Sequence, residues 1–151
     1  MYAAQAIEPG GLIERYEEQQ HVLVSKAHVR DHWNATQKAL FARYAYPITD
    51  EVYAMWSSDP EQWKPINHSC DPNAWLDGLN LTARRRIAAG EQITMDYGTF
   101  CNESLEPFTC TCGSAECRGT IRGTDYLAPH IGRYNGHVSD YVRAKRAEPR
   151  P

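Results

Sequence analysis

Three cysteines within eight residues form the densest group of metal-binding side chains in the sequence: Cys110, Cys112 and Cys117. Thiolates are soft ligands, and a structural zinc ion takes four ligands in a tetrahedron. Because the chain has five cysteines and no secretory signal pattern, we expect these three to bind metal rather than to form disulfides. The fourth ligand must come from elsewhere, and the candidates are Cys70, Cys101 and His130.

Two further segments carry polar and aromatic side chains that suit a binding site. Residues 67–73 form the run Asn-His-Ser-Cys-Asp-Pro-Asn, in which proline and the Asx side chains favour a tight turn. Residues 90–98 form the run Gly-Glu-Gln-Ile-Thr-Met-Asp-Tyr-Gly, a short alternating segment with Tyr97 near its end. Taken alone, such a tyrosine is more often a buried strand residue than a catalytic one.

In this order, the three segments resemble a SET domain followed by its post-SET zinc segment. Proteins of that family transfer methyl groups from S-adenosylmethionine to lysine side chains of proteins. The resemblance selects Cys70 as the fourth zinc ligand, because the cysteine of the Asn-His-Ser-Cys motif meets the C-terminal cysteines in the family. The zinc ion would then hold the C-terminal segment beside residues 67–73 and help to assemble the active site.

The resemblance also implies a cofactor site. Asn67 and His68 are expected to hold S-adenosylmethionine, partly through its adenine, and Ile121 matches an apolar position that packs on the adenine. SET domains usually begin with Gly-x-Gly ahead of an aromatic-Ala pair. Residues 1–4 start where Gly-x-Gly should just have ended. Either the true start lies upstream or the protein works without this contact, and Tyr2 is expected to contribute to the cofactor site.

Methyl transfer to an amine is an in-line displacement that needs alignment, a neutral amine and a channel that excludes water. By resemblance, Tyr97 is the catalytic tyrosine and Tyr16 is a weaker match to the channel tyrosine of an early strand. Met95 occupies a channel position that helps to set the number of methyl groups added, and its lack of a hydroxyl is compatible with multiple methylation. Tyr126 and Tyr134 are expected to close the channel wall, where aromatic faces attract a methylated ammonium.

Composition and charge limit the class of protein. The 151 residues, of which 42% are hydrophobic, fit one globular domain. Residues 1–117 contain 9 Lys and Arg against 16 Asp and Glu, whereas residues 118–151 contain 7 against 3. An acidic body suits a cationic, lysine-bearing partner and does not suit the phosphates of nucleic acid.

With no apolar run of membrane length, we expect an intracellular, cytoplasmic protein, nuclear or chromatin-associated if the source is eukaryotic.

The elements that must position these residues are predicted to be short strands. Alternating apolar positions predict strands within residues 2–24 and over residues 79–95. A helical period predicts one helix over residues 28–45, followed by a loop over 48–65 that contains a strand at Val52–Met55. Ser139 is expected to cap a short helix that ends at Ala147.

We therefore predict a mainly β fold with one or two helices. The resemblance implies the β-clip and pseudoknot of the SET domain over residues 1–109, a post-SET zinc segment over 110–127 and a C-terminal extension over 128–151. Because no separate substrate domain is present, specificity is expected to come from residues 28–65 and the C-terminal tail.

Two other classes of protein are alternatives to a protein-lysine methyltransferase. The first is a SET-like module that binds a lysine-bearing peptide without efficient catalysis, which the missing Gly-x-Gly favours and the intact Asn67, His68 and Tyr97 oppose. The second is a metal-dependent hydrolase. It is disfavoured because a cluster of thiolates alone leaves no open coordination position.

Overall fold

The structure, a computed structural model, describes residues 1–18, 21–55 and 66–149. Within these ranges the chain forms ten short strands and three α-helices. The strands are β1 (Leu12–Glu14), β2 (Val22–Ser25), β3 (Tyr46–Pro47), β4 (Val52–Met55), β5 (Asn67–His68), β6 (Ala74–Asp77), β7 (Asn80–Ala83), β8 (Thr94–Met95), β9 (Phe108–Thr109) and β10 (Thr120–Ile121). The helices are α1 (Lys26–His32), α2 (Ala35–Tyr44) and α3 (Asp140–Ala147).

These elements confirm the mainly β class, with small sheets and few helices. β4 coincides with the strand predicted at Val52–Met55. The remainder of the predicted loop, residues 56–65, lies outside the described residues. In the described part of the chain, every helix is too short or too polar to cross a bilayer.

One antiparallel sheet has the strand order β1-β7-β6. A two-residue turn joins β6 to β7, and its Gly78 has a φ of +60°, a left-handed conformation that glycine adopts without a Cβ clash. Leu81 from β7 packs in a buried core with Ile87, Ile93 and Met95. Met95, a predicted channel residue, is therefore held in place by this core.

A second antiparallel sheet, β2-β4-β3, adjoins α1 and α2. The single helix predicted over 28–45 is in fact two helices, because the chain is extended at Trp33 and Asn34. The side chain of Asn34 accepts a hydrogen bond from the Gln37 N–H at 2.9 Å, and the Gln37 side chain accepts one from the Asn34 N–H at 3.0 Å. This capping box starts a new helix where the apolar period alone predicts continuity.

Two short strand pairs bring distant segments to one place. β5 and β8 pair in parallel, with Asn67 opposite Thr94 and His68 opposite Met95. The turn that follows His68 therefore lies beside the strand end that carries Tyr97. β9 and β10 pair antiparallel on either side of the cysteine-rich loop, so the two ends of that loop are held together.

The C-terminal region packs as short helices around a separate buried core. Ser139 caps α3 as predicted, because its Oγ accepts a hydrogen bond from the Val142 N–H at 3.2 Å. Tyr134 and Val142 are fully buried in this core, which also contains Tyr141. The Ser139 N–H donates to the Thr99 carbonyl at 2.8 Å, which attaches the start of α3 to the turn that follows Tyr97.

Candidate functional site

Four cysteines converge in the structure. Their Sγ atoms all lie within 4.8 Å of one another, and the residues are Cys70, Cys110, Cys112 and Cys117. The Sγ atoms of Cys70 and Cys110 are 3.9 Å apart. A tetrahedral zinc ion with Zn–S bonds of about 2.3 Å places its thiolates about 3.8 Å apart, so the spacing fits zinc. In the described part of the chain, neither Cys101 nor His130 belongs to this cluster.

The fold holds these cysteines through backbone contacts. The Cys110 N–H donates to the Gly119 carbonyl at 2.8 Å, which closes the loop next to the β9–β10 pair. The Arg118 N–H lies 3.3 Å from the Cys70 Sγ, and such a donor stabilises a thiolate. Ile121 is fully buried against the same cluster, and the partly buried Phe108 packs beside it.

His68 joins the cysteine cluster to the strand end that carries Tyr97. Its Nδ1 accepts a hydrogen bond from the Tyr97 N–H at 3.1 Å, and its Nε2 lies 3.4 Å from the Cys70 Sγ. Burial lowers the pKa of His68 to about 4 despite the nearby Asp96 carboxylate, so the imidazole is neutral. Because both ring nitrogens are engaged, only the backbone groups of His68 remain for the predicted cofactor contact.

The Tyr97 hydroxyl is fixed from the other side of the site. It donates a hydrogen bond to the Ile66 carbonyl oxygen at 2.9 Å. The ring makes edge contacts with His68, Phe100 and Phe108 at centroid distances of 5.2, 5.6 and 5.9 Å. Burial raises the pKa of Tyr97 to about 12, so the phenol keeps its proton at neutral pH.

Asp96 is a fully buried carboxylate directly before Tyr97. Both of its oxygens accept hydrogen bonds from the Arg118 guanidinium at 2.8 Å, and Oδ2 also accepts one from the Tyr134 hydroxyl at 2.8 Å. Burial by itself would raise the pKa of Asp96, but the Arg118 contacts hold it below the usual value. The carboxylate is therefore ionised inside the protein.

Tyr97 opens onto a cavity of about 330 Å³ that mostly apolar and aromatic side chains line. Tyr16 and Met95 line the same cavity, so the structure brings three of the predicted catalytic and channel residues together. The Tyr16 ring stacks on His21 with a centroid distance of 4.5 Å. Further lining residues come from β3 and the residue after it, the residue before β5, the segment after Tyr97 and the start of α3. They include Tyr46, Ile48, Ile66, Phe100, Cys101 and Tyr141.

Other predicted site residues lie away from this cavity. The Tyr126 hydroxyl donates a hydrogen bond to the Glu103 carboxylate at 2.6 Å, and the Tyr134 hydroxyl donates one to the Asp96 carboxylate. Neither tyrosine lines the cavity. Tyr2 is 66% exposed. Asn67 is exposed at the start of β5, next to the cavity residue Ile66. The cofactor roles of Tyr2, Asn67, His68 and Ile121 and the channel role of Tyr126 stay predictions.

Several residues that shape the site carry no motif that would predict them from the sequence. Phe100 and Phe108 pack on the Tyr97 ring, Ile66 binds its hydroxyl, and Asp96 and Arg118 form the ion pair beside it. Two of these had a local signal, since a charged Asp96 interrupts an apolar strand and Arg118 directly follows Cys117. The others depend on contacts between distant segments, which periodicity does not reveal.

Comparison with known proteins identifies the family. The family model described as "SET domain" matches residues 1–98. Over 87 residues the chain is 34% identical to "Methyltransferase flvH" of Aspergillus flavus, an alignment that covers 53% of this chain and 49% of that protein. It is 39% identical over 66 residues to "Histone-lysine N-methyltransferase ash1" of Drosophila melanogaster, covering 38% of this chain and 3% of that protein. The chain belongs to the SET-domain family.

A third relative supports the same assignment. Over 81 residues the chain is 35% identical to "Histone-lysine N-methyltransferase SUV39H2" of Xenopus tropicalis, covering 37% of this chain and 20% of that protein. The chain thus spans about half or less of the length of these curated relatives. Because the family match ends at residue 98, the boundaries at residues 109 and 127 remain predictions.

Proposed function

We propose that this chain is a protein-lysine N-methyltransferase that transfers a methyl group from S-adenosylmethionine to the amine of a lysine side chain. One observation carries the proposal: Tyr97, Tyr16 and Met95 line one mostly apolar cavity. The exposed Asn67 directly follows Ile66, which lines this cavity. Because the chain belongs to the SET family, methyl transfer is the reaction that we infer for these cavity residues.

The chain's own residues would align the reactants. S-adenosylmethionine, when bound, supplies the activated methyl group. We assign its binding to Asn67, the backbone of His68, Tyr2 and Ile121, since the exposed Asn67 amide offers both a donor and an acceptor beside the cavity. The Tyr97 hydroxyl, which stays protonated, would orient the amine or the methyl group.

The apolar cavity would do two things for the incoming lysine. It excludes water from the reacting atoms, and it disfavours the ammonium form because burial lowers the pKa of an amine. The aromatic faces of Tyr16, Tyr46 and Phe100 on the cavity wall would still accommodate a methylated ammonium by cation–π attraction. Alignment and desolvation are the main requirements of this displacement.

We further propose that the four clustered cysteines hold one structural zinc ion. Their spacing and the Arg118 N–H aimed at the Cys70 Sγ support this. With all four positions taken by thiolates, the ion would have no open position for substrate. It would join residues 67–73 to the segment after Phe108 and so help to assemble the site.

The proposed substrate is a lysine-bearing protein or peptide. Relatives named histone-lysine N-methyltransferases support a protein substrate, and the acidic balance of residues 1–117 suits a cationic partner. Reduced thiols are maintained inside cells, so the five free cysteines favour an intracellular, cytoplasmic location.

Two measurements test this function. Purified protein is incubated with S-adenosylmethionine that carries a labelled methyl group and with a whole-proteome lysate, and labelled lysines are identified by mass spectrometry. We expect transfer to lysine side chains that is lost in the Tyr97→Phe variant. Isothermal titration with S-adenosylmethionine distinguishes the enzyme from the alternative function, a lysine-binding module. Cofactor binding without transfer to any lysate protein would favour a lysine-binding module and contradict the enzyme.

A further inference from the structure

Arg118 connects the cysteine cluster to the turn that carries Tyr97. Its backbone N–H lies 3.3 Å from the Cys70 Sγ, and its guanidinium makes two hydrogen bonds of 2.8 Å to Asp96. The side chain is 19% exposed, whereas that of Asp96 is 0% exposed. A bidentate pair of this kind fixes orientation as well as distance.

Asp96 transmits this constraint to both sides of Tyr97. Its Oδ1 accepts a hydrogen bond from the Gly98 N–H at 3.0 Å and so caps the 3-10 helix Tyr97–Thr99. The preceding strand, β8, is paired with β5. The Tyr97 backbone is thus held between an ion pair and a strand ladder, and the position of its hydroxyl depends on both.

Other charged groups near Asp96 do not duplicate this contact. The Arg133 guanidinium lies 3.9 Å from Asp96 Oδ2, but its hydrogen bonds go to the Cys70 carbonyl and the Tyr134 hydroxyl. His130 Nε2 is also 3.9 Å from the carboxylate. Among Arg118, Arg133 and His130, Arg118 is the one that makes hydrogen bonds to both carboxylate oxygens.

We propose that Arg118 is a positioning residue for the methyl transfer. It acts through Asp96 to fix the position of Tyr97 relative to the cysteine cluster. This role rests on the proposed function. It differs from a purely structural role, because its effect on the rate must pass through the Tyr97 hydroxyl. A misplacement of about 1 Å in a reacting geometry can cost about 100-fold in rate.

The test uses zinc-loaded, full-length protein and the Arg118→Lys variant. Lysine keeps the positive charge but cannot make the two parallel hydrogen bonds. Arg122→Lys is the matched control, because Arg122 is an exposed arginine four residues further along the same segment. We expect Arg118→Lys to lower kcat at least about tenfold, with zinc content and the KM for S-adenosylmethionine little changed, and Arg122→Lys to lower none of them.

The double variant Tyr97→Phe/Arg118→Lys separates positioning from general structure. If Arg118 acts through the Tyr97 hydroxyl, the double variant is no slower than Tyr97→Phe alone. If the rate losses of the two single variants multiply in the double variant, the proposal is overturned. An equal loss of zinc and activity in Arg118→Lys would also overturn it, since the residue would then support only the metal site.

A measurement without turnover keeps this inference separate from the proposed function. The ring resonances of Tyr97 are assigned in the NMR spectrum by their loss in Tyr97→Phe. We expect Arg118→Lys to shift them and Arg122→Lys to leave them in place; unchanged resonances in Arg118→Lys overturn the inference even if wild type is inactive. If Arg118→Lys does not fold, Asp96→Asn, which preserves the side-chain shape, undergoes the same measurements with the same outcomes.

Discussion

Replacing Tyr97 with phenylalanine removes one hydroxyl and almost no volume. That hydroxyl donates to the Ile66 carbonyl at 2.9 Å, so the substitution leaves one carbonyl without its donor. The loss of such a hydrogen bond costs about 1 kcal/mol of the free energy of unfolding. For a domain of this size, that corresponds to a decrease in Tm of about 2–4 °C. The variant should therefore fold at assay temperature.

The catalytic effect of Tyr97→Phe should be much larger than its effect on stability. If the hydroxyl orients the amine or the methyl group, its loss should slow transfer by about 100-fold or more, the scale of a lost positioned catalytic group. The affinity for S-adenosylmethionine should change little, because Asn67 and the His68 backbone remain. Turnover on the best lysine substrate and cofactor affinity by isothermal titration are compared for wild type and variant.

Tyr53→Phe is the matched control for this experiment. Tyr53 is fully buried and its hydroxyl accepts a hydrogen bond from the Asn102 side chain at 2.9 Å. It does not line the cavity, so we expect a similar decrease in Tm and an unchanged transfer rate. If Tyr97→Phe turns over as fast as wild type, or if both variants slow transfer equally, the reasoning about the Tyr97 hydroxyl is refuted.

Three further predictions concern the metal and the packing. Freshly purified protein should contain about one zinc ion per chain, and Cys112→Ser should lower both zinc content and Tm. Cys70→Ser should lose zinc and cofactor binding together, whereas Cys101→Ser should lose neither, because Cys101 lies outside the cluster. Gly123→Ala should lower the free energy of unfolding by about 1–3 kcal/mol, because its Cβ would meet a carbonyl oxygen at 2.5 Å, whereas Gly132→Ala meets nothing within 4 Å.

Each of these predictions has a clear contrary result. Protein without zinc, whose melting temperature chelators do not change, would contradict the metal site. Retention of zinc in Cys70→Ser and its loss in Cys101→Ser would contradict the choice of the fourth ligand. Equal melting temperatures of the Gly123→Ala and Gly132→Ala variants would contradict the close packing at residue 123.

Local motifs predicted much of the site. The spacing of Cys110, Cys112 and Cys117 indicates a thiolate cluster because ligands close in sequence can converge on one ion without help from the rest of the fold. The cap at Ser139 also follows from neighbouring residues. The split between α1 and α2 was missed, since the apolar period continues across Asn34 while the capping box interrupts it.

The sequence by itself determined the family, the three cysteines of the C-terminal cluster and the tyrosine-bearing strand end, because each depends on residues that are close together along the chain. The residues alone left Cys70, Cys101 and His130 open as the fourth member of the cluster. The family resemblance selected Cys70, and the tertiary structure places its side chain there. Only the tertiary structure decided that both ring nitrogens of His68 are engaged and that Arg118 is bound to Asp96. Apart from the contact between His68 and Cys70, which are two positions apart, these contacts join residues 22 to 40 positions apart, so they arise from strand pairing and burial, which no local pattern encodes.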